Sequence, residues 1–186
     1  MEMDYRKALA DKKRIVIKIG TSSLTFPNGR LNLRRFEHIT NVISTLQQQG
    51  RQVVLVSSGA IAVGVGKMGY KKRPSTIPGK QAMAAIGQAI LAKIYRKFFD
   101  QHTIKVGQIL LTSDVITNVE KHKNAENTFA KLLEMGAVPI VNENDTVSTD
   151  EIEIGDNDTL SAMVASICKA DLLIILSDID GFFDKD

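Results

Sequence analysis

Five short runs of mostly β-branched and aliphatic residues recur along the chain: RIVIKIG at 14–20, QVVLVSS at 52–58, VGQILLT at 106–112, VPIVNEN at 138–144 and LLIILSD at 172–178. Within each run the apolar residues are continuous rather than alternating. A strand with one wet face alternates with a period of two, whereas an unbroken apolar run suits a strand covered on both faces. Helical patterns lie between them at 33–49, 79–101, 125–135 and 158–169. Gly50 and Gly136 follow two of these patterns and read as C-terminal caps. Strand and helix in alternation predict an α/β fold: a three-layer sandwich with a mostly parallel central sheet and helices on both faces. The segment STDEIEI at 148–154 breaks the alternation and reads as a hairpin or loop arm. No repeat, linker or low-complexity tract divides the 186 residues, so a single domain over 1–186 is expected.

The bulk numbers narrow the function classes. Hydrophobic content of 44% and charged content of 24% are ordinary for a globular chain. A net charge of +3, carried by scattered basic residues, gives no footprint for nucleic acid. The longest basic run, Lys71-Lys72-Arg73, has no interleaved aromatics and reads as a solvated loop. The one cysteine, Cys168, allows no intrachain disulfide and suits a reducing cytoplasm. It lies in an apolar helical stretch, as a small core residue would. No apolar run is long enough to span a membrane, and the first residues, MEMDYRKALADKKR, lack the apolar centre of a signal peptide. His38, His102 and His122 stand in no metal-ligand spacing and read as surface residues; no metal-ligating set is expected from the chain itself.

Chemistry is expected beyond the carboxyl ends of the strands, where open α/β sheets bind ligands. Four strands end in small or polar residues: Gly20-Thr21-Ser22, Ser57-Ser58-Gly59, Asn142-Glu143-Asn144-Asp145 and Ser177-Asp178. Chains must leave a sheet for water, so polar ends are common, but four of them together point to one shared site.

Lys18 is the sharpest anomaly. It interrupts IVIKIG near the end of a strand expected to be buried on both faces. A buried, unpaired ammonium is costly, so Lys18 needs an anionic partner unless it snorkels to the strand end. In the functional reading it binds phosphate, with Gly20, Thr21 and Ser22 presenting N–H groups and hydroxyls to the same oxygens. Gly59 follows the second strand directly, either as a plain turn into a helix or as a place where backbone approaches a ligand. Ser58 and Ala60 would bind a carboxylate there. Gly64-Val-Gly66-Lys-Met-Gly69 spells GxGxxG, but it stands several residues after the strand and is followed by Lys71, Lys72 and Arg73 rather than by a later acid, so it is not a dinucleotide fingerprint. Lys67 has no Ser or Thr after it, which excludes a phosphate-binding loop of the GxxxxGK[ST] type. Asn142, Asn144 and Asp145 suit an ammonium or a polar ligand, and equally a turn. Gly155-Asp156-Asn157-Asp158 opens a helical pattern; capping would account for one of these polar residues, at about 0.3–1 kcal/mol per acid, but not for two acids and an amide.

Read together, VIKIGTSSL, VSSGAIAVG, KQAMAAIGQ, VGQILLT, VNENDTV, IGDNDTLSA and LSDIDGF resemble the amino acid kinase family, on the branch that phosphorylates the side-chain carboxylate of L-glutamate. The resemblance runs through nearly the whole chain in the family's order. It implies ATP as phosphoryl donor with Mg²⁺, entry into proline synthesis, proline as a feedback inhibitor, and assembly into dimers or tetramers. By motif, Lys18 is similar to the family's phosphate-contacting lysine, and Ser58, Asp145 and Asn157 match glutamate-binding positions. Asp158 resembles the acid that orients catalytic lysines, and Ser177 and Asp178 match a nucleotide-side pair.

The physical chemistry fits this resemblance. A glutamate carboxylate, with a pKa near ~4.3, is already ionised at neutral pH, so no general base is required. Catalysis is then positioning plus neutralisation of charge, with Lys18 held by Asp158 and Asp145 paired to the substrate ammonium. In the family a further segment supplies a second lysine and most of the adenine pocket. From the sequence stopping at Asp186, the expectation is a glutamate-binding part without its nucleotide-binding part, of little activity alone. Two other readings remain open: a sibling kinase acting on N-acetylglutamate or aspartate, and a lobe that binds glutamate or proline without catalysis.

Overall fold

The structure, a computed structural model, describes residues 5–26, 30–148 and 157–177. Five strands form one sheet in the order β3-β4-β2-β1-β5: β1 Arg14–Ile19, β2 Gln52–Val56, β3 Val106–Leu111, β4 Val138–Glu143 and β5 Leu172–Leu176. Every pairing between these strands is parallel. The polar ends follow the strands directly: the Gly20, Ser57 and Asn144 N–H groups still bond the Leu176, Val141 and Leu111 carbonyls of neighbouring strands, and Ser58 and Ser177 come just after the strands end. Lys18 in the central β1 lies opposite Val56 of β2 and Ile175 of β5.

Residue parity decides which layer each side chain meets. Ile15, Ile17 and Ile19 of β1 pack with Phe36, Leu91, Tyr95 and Phe99 on one face. That face is covered by α3 (Leu33–Gln48), α4 (Ala60–Lys67) and α5 (Ile77–Asp100), which follow the short helices α1 (Tyr5–Ala10) and α2 (Thr21–Leu24). Val16 packs with Phe129, Val164 and Ile167 on the opposite face, under α6 (Val119–Glu134) and α7 (Asp158–Ile167). The expected three layers are therefore present, with helices on both faces of the sheet. By the same parity Lys18 shares the face of Val16, toward α7.

The central strands β1, β2 and β4 are buried almost throughout, as their continuous apolar runs predict. The edge strands differ. β3 and β5 carry runs of the same kind yet are partly exposed, because an edge has a neighbour on one side only. Gly50 and Gly136 adopt φ of +80° and +70°, the left-handed conformation of a helix C-terminal residue.

Three helix boundaries depart from the sequence expectation. α5 starts at Ile77, where the Thr76 hydroxyl accepts from the Gly79 N–H and Pro78 sits in the first turn. α6 starts at Val119, capped by the Asn118 side chain on the Lys121 N–H; its polar opening VEKHKN conceals the apolar period. α4 occupies the glycine-rich segment that shows no helical period. Its glycine is a packing device: a Cβ at Gly64 would stand 2.0 Å from the Met83 carbonyl oxygen of α5. Gly87 of α5 answers it, since a Cβ there would stand 1.7 Å from the Ala60 carbonyl oxygen. The two backbones touch because neither side chain exists. The apolar face of α5, including Met83, Leu91 and Phe99, is spent on this core. Of the 148–154 arm only Ser148 lies within the described residues.

Candidate active site

Lys18 is 6% exposed, and its ammonium lies 2.5 Å from the Asp158 carboxylate at the start of α7. The strand parity that turns Lys18 toward α7 creates this pair. It supplies the anionic partner that a buried lysine requires. Beside it, Gly20 has φ of −70°, a conformation open to any residue. A Cβ there would stand 3.9 Å from the Lys18 Nζ, an ordinary contact, so neither conformation nor crowding demands the glycine.

Asn157 precedes α7 at the N-cap position but makes no capping hydrogen bond with its side chain. The amide reaches across the sheet ends instead. Its nitrogen donates to the Ser57 carbonyl at 2.8 Å, the Ser58 hydroxyl at 3.0 Å and the Asn142 side-chain oxygen at 2.9 Å. Among the described residues its Oδ1 is buried without a hydrogen-bond partner. The capping alternative left open by the sequence therefore fails for this residue: it ties β2, β4 and α7 together and presents a bare acceptor.

Asp145, just past β4, is 5% exposed, and its Oδ1 is likewise buried without a partner. Burial, joined by the neighbouring Glu143 carboxylate, raises its pKa to about 6, and Arg73 partly opposes that rise. A buried carboxylate with an unused oxygen is costly unless a cation reaches it. Two small spaces meet at Asp145. One, of about 70 Å³, is lined by Thr21, Gly59, Ala60 and Arg73. The other, of about 290 Å³, is lined by Gln88, Gln108, Glu143 and Asn144. A larger cavity of about 390 Å³ between α4 and α5, walled by Leu31, Val63, Ile90 and Phe98, contains none of the expected site residues.

Ser58, Asp145, Asn157, Lys18 and Asp158 thus converge at the carboxyl ends of β1, β2 and β4. Ser177 is exposed one residue past β5, where the Gly20 N–H bonds the Leu176 carbonyl at 3.2 Å. Asp178 lies outside the described residues, as does Asp156. Gln88 and Arg73 carried no sequence signal of their own, while Ser57 and Asn142 were expected only among the polar strand ends, Asn142 as a residue suiting an ammonium, a polar ligand or a turn. Ser57 exchanges a hydrogen bond with the fully buried Tyr95 hydroxyl at 3.0 Å. Gln88 was indistinguishable from any polar helix residue. Arg73 reads as part of a solvated basic loop, yet it borders the space that holds Asp145.

A lysine–acid pair and, beside it, buried acceptors without a partner among the described residues stand together at the ends of a parallel sheet. Residues 13–186 match the amino acid kinase family, and the chain belongs to that family. Within it, the chain is similar to glutamate 5-kinases. The Clostridium perfringens protein of that name is 57% identical over 185 residues, covering 97% of this chain and 69% of its own length. The Clostridium acetobutylicum protein is 53% identical, covering 96% and 67%. The protein from Thermoanaerobacter sp. strain X514 is 53% identical; there the chain spans 93% of itself but only 46% of the relative.

Proposed function

We propose that this chain carries the glutamate-binding and phosphoryl-aligning residues of a glutamate 5-kinase, which transfers the γ-phosphoryl group of ATP to the side-chain carboxylate of L-glutamate and so begins proline synthesis in a reducing cytoplasm. The observation that carries this reading is the pair of bare buried acceptors, Asp145 Oδ1 and Asn157 Oδ1, on the same strand ends as the Lys18–Asp158 pair. Glutamate brings an ammonium for the acceptors and a carboxylate for the reaction.

Asp145 and Asn157 would hold the substrate ammonium, and the Ser58 hydroxyl with the N–H groups at the start of α4 would receive a carboxylate. The reacting carboxylate needs no base, so Asp158 is assigned to steering Lys18, not to taking a proton. Lys18 would place positive charge where the transferred oxygens become more negative. A phosphate group of ATP is assigned to this ammonium, beside the N–H groups that follow Gly20. When bound, ATP supplies the phosphoryl group and Mg²⁺ neutralises its oxygens. Ser177, and Asp178 beyond the described residues, belong to the nucleotide side of this reading. An N-acetylated substrate would leave Asp145 without a cation, so the free amino acid is favoured over N-acetylglutamate. Proline shares the ammonium and α-carboxylate and would compete for the same acceptors. Assembly into a dimer or tetramer is part of the reading.

The test is calorimetry with glutamate, N-acetylglutamate, proline and ATP separately, followed by coupled ADP release. Glutamate binding is expected, with glutamate-dependent ADP formation that is weak for these residues alone. Heat with N-acetylglutamate but none with glutamate would reject the assignment. Glutamate binding without any turnover would favour the non-catalytic lobe.

A further inference from the structure

Helix α5 approaches the site closely because Gly64 and Gly87 let its backbone touch that of α4 beside Ala60. From this position it sends two polar side chains, seven residues and hence two turns apart, to the ends of the strands. Tyr95 reaches Ser57 on β2's end, and Gln88 reaches Asn142 on β4. The second contact controls an orientation.

The amides can be assigned from groups with only one possible role. The Glu143 N–H can only donate, and it meets the Asn142 Oδ1 at 2.9 Å. The Asn142 nitrogen therefore faces Gln88 and donates to its Oε1 at 2.8 Å. The Ser57 carbonyl can only accept, so the Asn157 nitrogen faces it and the Asn142 oxygen, at 2.8 and 2.9 Å. Asn157 Oδ1 is left pointing away from all these donors and acceptors, buried and without a hydrogen-bond partner among the described residues. The chain Gln88–Asn142–Asn157 thus begins on a helix face and ends at a bare acceptor in the site.

We propose that Gln88 is a positioning residue: by accepting from Asn142 it holds the Asn142 amide, which in turn fixes Asn157 with its oxygen turned toward the substrate ammonium. This rests on the functional reading above. Gln88 touches no substrate in it; its effect passes through two amides. Without the Gln88 oxygen, the Asn142 nitrogen is left unsatisfied, and Asn142 gains reason to rotate its amide toward other acceptors. Rotation would present nitrogen to nitrogen at Asn157 and loosen the acceptor.

The experiment compares Gln88→Met, which keeps volume but removes the acceptor, with Gln88→Glu, which restores an acceptor oxygen. Glutamate Kd by calorimetry, kcat and KM for both substrates, melting temperature, and the side-chain amide NMR signals of Asn142 and Asn157 are measured for each. Gln88→Met is expected to raise the glutamate Kd and KM about tenfold, with kcat and the ATP KM within twofold of the parent. The Asn157 amide signals shift, and Gln88→Glu recovers most of the affinity. Unchanged glutamate affinity with an active parent would overturn the proposal. So would equal losses in Gln88→Met and Gln88→Glu, since a merely structural role predicts no rescue. If the parent itself neither binds nor turns over glutamate, the functional reading fails instead. The amide spectra then still decide the brace: unmoved Asn157 signals in Gln88→Met reject it, whatever the ligand.

Discussion

Asp145→Asn separates what the fold tolerates from what the ligand needs. Burial and the Glu143 charge raise the Asp145 pKa from an ordinary 3.8 to about 6, with Arg73 opposing. A carboxyl whose folded pKa is raised is more easily ionised in the unfolded chain. Its ionisation therefore costs stability as pH rises from the unfolded value through about 6, and the protein is relatively most stable with the group protonated. For a shift of roughly two units the cost is about 3 kcal/mol at pH 8, falling to about 1.6 kcal/mol at pH 5, where the folded group is mostly protonated. Asparagine removes the ionisation and brings an amide of its own. That offset does not depend on pH, so the change with pH is the quantity to read.

The assay is urea or thermal denaturation of both proteins without ligand at pH 5 and pH 8. The stability of Asp145→Asn relative to the parent should rise by about 1.4 kcal/mol between the two pH values. For a chain of this size that is about 3–6 °C in relative melting temperature. Saturating glutamate at pH 8 should stabilise the parent more than Asp145→Asn, because its ammonium meets a carboxylate only in the parent. A relative stability that is flat between pH 5 and pH 8, or that falls, would refute the buried-charge argument. Equal stabilisation of both proteins by glutamate would refute the ammonium contact.

Three further outcomes follow from the same geometry. Lys18→Ala should lower kcat by about 10²–10³-fold with a much smaller change in glutamate KM, as expected for a charge that acts on the transferred group; unchanged kcat in steady-state ADP release would remove Lys18 from that role. Gly87→Ala drives a methyl group into the Ala60 carbonyl and should cost upward of about 3 kcal/mol in urea denaturation, at the severe end of overpacking; a near-neutral variant would show that the α4–α5 contact is looser than described. Tyr95→Phe removes a buried hydrogen bond to Ser57 and should cost about 1 kcal/mol with the glutamate Kd little changed; a large loss of affinity at intact stability would extend the positioning role to Tyr95.

The layered α/β sandwich was legible in the sequence because burying a strand on both faces demands a continuous apolar run, and β1, β2 and β4 meet that demand locally. Lys18 stood out for the same reason: a charge inside such a run needs an explanation wherever the chain folds. The helix boundaries at Ile77 and Val119 were less legible, because caps such as Thr76 and Asn118 act through single hydrogen bonds that leave little trace in an apolar pattern. The glycines of α4 were misleading in isolation, since their meaning lies in a contact with Met83 and Ala60 across two helices.

The sequence by itself determined the layered sheet, the polar ends of its strands and the presence of an anomalous buried lysine, since each follows from the solvation of residues close along the chain. Only the tertiary structure decided the partners. Lys18 meets Asp158 through strand parity, Asn157 forgoes its cap to bridge residues about a hundred positions earlier, and Gln88 enters the site's support through a helix crossing. Hydrogen bonds and ion pairs are short-ranged and directional, so groups far apart in sequence become partners only when the sheet order has brought their ends together.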